Sequence, residues 1–213
     1  MRIALINGSP KFKESGSGKL LDIVKTSAAA AGVSEFVEFQ FRMAAAPTEE
    51  QLRQLADADA WIFAYPLYVD GMPGHLLQVL RHLEKAKLGN PQRKIYGICN
   101  CGFYEGEQNE SALEVLRNWS AKCGYSWGGA VGVGGGGATL SLTSMGKLGD
   151  FFMKPVTNAL TELGQRAADC STQENCSVSI ALPRWIYTYC AHDGWKKKIK
   201  AAGGKVEDLE RRF

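Results

Sequence analysis

Short apolar runs alternate with helical stripes along most of this chain. The runs are Ile3–Ala4–Leu5–Ile6, the alternating stretch Phe36–Phe41, Trp61–Ile62–Phe63–Ala64, Lys94–Ile98 and Ala130–Val133. Between them lie stretches of helical period, such as Leu20, Leu21, Val24, Ala28 and Ala31, or Leu76, Leu77, Leu80 and Leu83. Trp61–Ala64 is continuously apolar, as expected of a parallel strand covered on both faces. Crossovers between parallel strands are right-handed, so the alternation predicts an α/β fold with a doubly wound, five-stranded parallel sheet. Residues 1–168 would form this domain. Residues 169–213 would be an extension packed on the same domain, with a candidate extra strand at Val178–Leu182 and a basic helix opening at Pro183. A helix around Leu148–Leu163 contains Pro155 as its start or as a kink.

The turn after the first run carries the most chemistry. Asn7–Gly8–Ser9–Pro10–Lys11 leads into Ser15–Gly16–Ser17–Gly18 and then into the stripe opening at Leu20. A helix start leaves backbone N–H groups unpaired at the positive end of the macrodipole, which favours an anion there. Ser9, Ser15 and Ser17 add hydroxyls, and Gly16 and Gly18 allow close approach. A Walker A loop needs Gly-Lys-Ser/Thr, but Leu20 follows Gly18–Lys19; a dinucleotide fingerprint starting at Gly8 meets Pro10 in place of its second glycine. A loop of this kind suits a terminal monophosphate. The alternative is an ordinary strand-to-helix turn with Ser17 as its N-cap.

Composition narrows the classes. No apolar run approaches the ~20 residues of a membrane span, and no basic-then-apolar leader opens the chain, which predicts a soluble cytoplasmic protein with no membrane partner. The net charge of +3 is uneven. Seven Lys/Arg and three Asp/Glu fall in residues 195–213, giving that tail +4 and the rest −1. The body lacks the basic, aromatic-interleaved surface of a nucleic-acid binder, so no nucleic-acid partner is expected. The six cysteines and three histidines do not form a metal-ligand set, so no metal is expected. The thiols read as free and mostly buried; a Cys170–Cys176 disulfide is the alternative, unusual in a reducing compartment.

Two further loops follow strands. Tyr65–Pro66–Leu67–Tyr68–Val69–Asp70–Gly71–Met72–Pro73 follows the third, and Asn100–Cys101–Gly102–Phe103–Tyr104–Glu105–Gly106 the fourth. Both are aromatic and rich in backbone polar groups. In open parallel sheets ligands bind outside the carboxyl ends of the strands, so a monophosphate cradle beside two such loops suits FMN. Taken together, Asn7–Gly8–Ser9–Pro10–Lys11, Pro66–Leu67–Tyr68 with Gly71–Met72–Pro73, and Asn100–Gly106 resemble the flavodoxin-like NAD(P)H-dependent FMN reductase family over residues 1 to about 165. Pro183–Arg184 and Gly194–Trp195 resemble the tails of some bacterial members.

The resemblance implies a flavodoxin-like fold, FMN held by three loops, NAD(P)H as co-substrate, a small-molecule electron acceptor and a homodimer. Ser9, Lys11, Ser15, Gly16 and Ser17 would hold the phosphate. Pro66, Leu67, Tyr68, Val69 and Gly71 would take one side of the ring, and Asn100, Cys101, Gly102 and Phe103 the other. No side chain need act as acid or base, because the flavin carries the chemistry. Family loops often carry Asn-Thr where this chain has Gly16–Ser17, so the hydroxyl is kept and the amide side chain lost. The cysteine cluster of iron–sulfur relatives is absent from the sequence. Competing readings are a one-electron carrier of flavodoxin type, whose usual strong acidity this chain lacks, and a flavin-binding accessory protein without turnover. His75 and His82 read as structural.

Overall fold

The computed structural model describes residues 1–210; Arg211, Arg212 and Phe213, the end of the basic tail, lie outside the described residues. It divides into two compact units, Met1–Ala181 and Leu182–Phe213. The first unit is built on a parallel sheet of β1 (Arg2–Asn7), β2 (Glu35–Gln40), β3 (Ala60–Pro66), β4 (Lys94–Asn100), β5 (Ser126–Gly134) and β6 (Cys176–Ser179). Its spatial order is β2-β1-β3-β4-β5-β6.

The sheet therefore has six strands, where the alternation of runs predicted five. β6 is a four-residue edge strand, Cys-Ser-Val-Ser, without an apolar run. Its parallel pairing places Val131 to Gly134 opposite Cys176 to Ser179, so backbone hydrogen bonds hold it more than side-chain burial. The candidate strand at Val178–Leu182 overlaps it by only two residues.

Helices α1 (Gly16–Ala30), α2 (Glu49–Ala56), α3 (Gly74–Ala86), α4 (Glu110–Lys122), α5 (Thr139–Thr143) and α6 (Lys147–Ala168) complete this unit. Trp61, Phe63 and Tyr65 alternate along β3 toward one face, in a core with Leu76, Val79, Leu80 and Leu83 of α3 and Leu116 and Trp119 of α4. α1 and α6 pack against each other, and Ser27 Oγ of α1 donates to the Thr161 carbonyl of α6 at 2.6 Å. β3 is wholly buried up to its last residue, which matches the continuous apolar reading of Trp61–Ala64.

Pro155 lies inside α6, neither starting nor ending it. Pro155 has no N–H to donate to the Phe151 carbonyl; one residue on, the Phe152 carbonyl accepts from Ala181 N at 2.8 Å, just beyond β6. That bond ties the chain leaving the edge strand to α6. At the opposite end of the sheet the fully buried Arg93 guanidinium donates to the carbonyls of Ala58 at 3.0 Å and Ala56 at 2.6 Å, and lies over Trp61. Burial lowers its pKa from the ordinary guanidinium value.

The second unit holds α7 (Arg184–Ala201), which follows Pro183. Its Lys196, Lys197, Lys198 and Lys200 are exposed, and Lys197 pairs with Asp193 at 2.7 Å. Among the described residues no helix is long and apolar enough to cross a membrane.

The connectivity places the ligand crevice. The chain leaves β1 outward to β2, then returns across β1 to β3, so the winding direction reverses between β1 and β3. Loops diverge at such a point and open a cleft at the carboxyl ends of the strands.

Candidate functional site

At that point Gly8 extends the β1 ladder by donating its N–H to Ala64 O at 2.8 Å. A Cβ on Gly8 would stand 2.5 Å from Leu76 Cδ2 and 3.2 Å from Tyr65 Cβ, so any side chain there would push Leu76 of α3 aside. His75 at the start of α3 sets its Nε2 3.0 Å from Gly8 O. The carbonyl can only accept, which puts a proton on Nε2 and gives His75 the structural role expected of it.

The first loop is braced from within. Asn7 Oδ1 accepts from Ser9 N at 3.0 Å, and Asn7 Nδ2 donates to Ser15 Oγ at 3.4 Å. Ser15 Oγ also accepts from Gly18 N at 3.1 Å, which makes Ser15 the N-cap of α1. The plain-turn reading put Ser17 there; α1 starts earlier, at Gly16, because the cap bond spans Ser15 to Gly18. Ser17 is buried, and its Oγ donates to Asn100 Oδ1 at 2.7 Å, joining the start of α1 to the end of β4.

These bonds use up part of the hydroxyl inventory and leave a set of donors. Among the described residues the N–H groups of Gly16 and Ser17 have no acceptor, as geometry requires of a first helical turn. Neither Asn100 Nδ2 nor Lys11 Nζ has an acceptor there either.

A cleft of about 160 Å³ lies over this helix start. Ser9, Lys11, Ser15, Gly16 and Ser17 line it from the first loop, Pro66, Leu67 and Tyr68 from the second, and Asn100, Cys101 and Gly102 from the third. Three residues expected with them stand apart. Val69, fully exposed, and Asp70 form the tip of a tight turn in which Tyr68 N and Gly71 N each bond the other residue's carbonyl, at 2.9 and 3.1 Å. Gly71 is thus spent on closing the turn. Phe103 is about half exposed, and its carbonyl accepts from Gly135 N at 2.6 Å.

A fourth loop, not expected from sequence, completes the wall. Gly136, Gly137 and Leu140, after β5, line the cleft, and Gly136 N donates to Cys101 O at 2.8 Å. Gly136 packs on Asn100, where a Cβ would stand 3.0 Å from Asn100 Nδ2. The run Gly134–Gly137 was the available signal, since repeated glycines mark close backbone approach.

The thiols do not serve the cleft as nucleophiles. Cys101 Sγ lies 3.6 and 3.5 Å from the carbonyls of Phe103 and Glu105 and accepts from Asn109 Nδ2 at 3.4 Å. Burial, above all, pushes its pKa up, and Cys99 beside it is raised further, so both are protonated thiols at neutral pH. All six cysteines are free; only Cys99 and Cys101 are buried, Cys190 is exposed, and Cys170 and Cys176 do not pair.

Residues 1–142 match the model of the NADPH-dependent FMN reductase family. The chain belongs to this family. FMN is accordingly its cofactor and NAD(P)H its electron donor. Among solved structures, it is similar to an FMN-dependent NADH-azoreductase from Bacillus anthracis in complex with FMN, at 14% identity and TM-score 0.56, covering 79% of this chain and 98% of that one. A NAD(P)H:quinone oxidoreductase from Methanothermobacter marburgensis gives 16% identity and TM-score 0.52, over 79% and 97% of the two chains. A flavone reductase gives 12% and 0.61, over 82% and 66%. At these identities the likeness is one of fold. A comparison with curated proteins found no match.

The cleft fits the phosphate end of FMN. Its lining carries unpaired N–H donors and a lysine and no carboxylate. At about 160 Å³ it is smaller than the roughly 300–1,000 Å³ of sites that enclose a drug-sized ligand. It can take a phosphoryl group, while a tricyclic ring would lie across its mouth. A larger groove of about 510 Å³ runs on the far side of Ser15, lined by Glu14, Asp22 and Glu38 as well as Lys13, Lys19 and Arg42, with Lys19 already paired to Glu14 at 2.9 Å.

Proposed function

We propose that the protein is an FMN-dependent oxidoreductase that passes electrons from NAD(P)H to a small acceptor such as a quinone, a nitro or azo compound, or free flavin. The observation that carries this reading is the convergence of four loops on the α1 N-terminus, with unpaired donors at the base and Tyr68 at the rim. When bound, FMN supplies the chemistry, taking hydride from NAD(P)H and giving it up to the acceptor. The N–H groups of Gly16 and Ser17, with Ser9 and Lys11, hold the phosphate. Pro66, Leu67 and Tyr68 flank the ring on one side, and Asn100 and Gly102 on the other. Val69, Gly71 and Phe103 would contribute from the rim of the same loops.

A homodimer agrees with the exposed apolar residues near this edge, Phe12, Tyr68, Val69 and Phe103. Six free thiols suit the reducing cytoplasm. The acceptor is read from turnover: steady-state oxidation of NADH and NADPH with menadione should run catalytically, whereas an electron carrier would reduce a cytochrome after photoreduction and show no such turnover.

A further inference from the structure

Asn109 stands immediately before α4, at the N-cap position, where an asparagine normally accepts a backbone N–H through its side-chain oxygen. Here it does not. Its backbone is helical, no cap bond forms, and Oδ1 has no hydrogen-bond partner although the residue is fully buried. The bonding runs through Nδ2 instead. It donates to Gly106 O at 2.8 Å and Val133 O at 3.2 Å, and reaches Cys101 Sγ at 3.4 Å. A buried oxygen left unpaired is unfavourable, so this amide is placed for its donors.

The acceptors belong to the third loop and to the end of β5. That loop returns over β5 with backbone against backbone: a Cβ on Gly106 would stand 2.7 Å from Gly132 O, and one on Gly134 2.6 Å from Gly106 N. Glycines allow this approach but bring no side chains to fix it. Backbone bonds stitch part of the contact, from Cys101 N to Val133 O at 3.0 Å and from Gly136 N to Cys101 O at 2.8 Å. Asn109 Nδ2 spans the two layers, with one carbonyl on each, and Val133 O is the same carbonyl that anchors Cys101. Cys101 and Gly102 line the cleft.

We propose that Asn109 is a positioning residue for flavin binding, its Nδ2 clamping the third loop to β5 so that Cys101 and Gly102 keep their place beside the flavin ring. This rests on the flavin reading above and adds to it a residue that acts through the loop without touching the cofactor. Its effect falls on the ring, which FMN and riboflavin share, and not on the phosphate, which only FMN carries.

The test compares wild type with Asn109→Ala, which removes the donors, and Asn109→Ser, which keeps one shorter donor. Leu83→Ala, a cavity in the core toward the other end of α3 from Gly8, shows what a lowered melting temperature does by itself. Amide exchange of the apoprotein over residues 101–106 and 134–136 should quicken in Asn109→Ala and not in Leu83→Ala. Titrated where every variant is folded, Asn109→Ala should bind FMN and riboflavin more weakly by the same factor, about fivefold or more, the share of one net hydrogen bond. At saturating FMN the visible circular dichroism of its bound flavin should also differ from wild type. Asn109→Ser should show the same pattern at smaller amplitude, and it decides the question if Asn109→Ala does not fold. A loss confined to FMN, an equal loss in Leu83→Ala, or unchanged affinity for both flavins would overturn the assignment. A wild-type protein that binds neither flavin would instead refute the flavin reading itself.

Discussion

Gly16 is where the electrostatics of the site can be probed without disturbing the fold. Its would-be Cβ meets only ordinary contacts, at 3.5 Å and beyond. An acidic residue in the first helical turn interacts favourably with the macrodipole. Gly16→Asp should therefore leave the apoprotein as stable as wild type or more so, while its carboxylate faces the phosphate. The like-charge repulsion should weaken FMN binding by ~2 kcal/mol or more. An unchanged FMN dissociation constant would remove this helix start from the site. Ser17 is a poorer position for such a change, because it is buried and bonded to Asn100. Sequence alone did not distinguish the two: both lie in one Ser-Gly-Ser-Gly stretch, and which serine caps the helix depends on where the chain turns.

At the scale of elements, the turn at Tyr68–Gly71 pairs β-type hydrogen bonds with positive φ at Val69 (49°) and Asp70 (56°). Aspartate tolerates this region, but a β-branched residue there is an outlier, at a cost of roughly 1–2 kcal/mol. Ser111 Oγ, from α4, donates to Asp70 O at 2.6 Å and holds the turn in place. Because the Val69 side chain is fully exposed, Val69→Asn gives up no packing. It should raise stability by about 1 kcal/mol, read as a higher urea midpoint at constant m value; a lower midpoint would show that the turn is not strained. The turn shows why loop composition does not tell which residues line the cleft and which stand at its rim. Loop membership named Val69 and Gly71, but hydrogen bonds within the loop decide which groups face the cleft. β6 registered only in part, as the candidate strand Val178–Leu182, for a related reason: its contribution lies in the backbone ladder to β5, and a Cys-Ser-Val-Ser stretch shows no periodic apolar signal.

At the scale of the whole molecule, the features that speak through side-chain burial were legible in advance. β1, β3 and β4, the stripes of α1, α3 and α4, and the parallel winding all follow from apolar spacing, and the three expected loops do meet at one cleft. Less legible were contacts made by backbone across distant sequence, namely the sixth strand and the glycine loop after β5. The central claim is that this cleft recognises flavin chiefly through its phosphate. The most direct measurement is the ratio of dissociation constants of the wild-type apoprotein for riboflavin and FMN, at fixed ionic strength. Several unpaired donors converging on a dianion predict FMN binding tighter by a hundredfold or more, about 2.7 kcal/mol. Equal affinity for the two flavins would contradict the account.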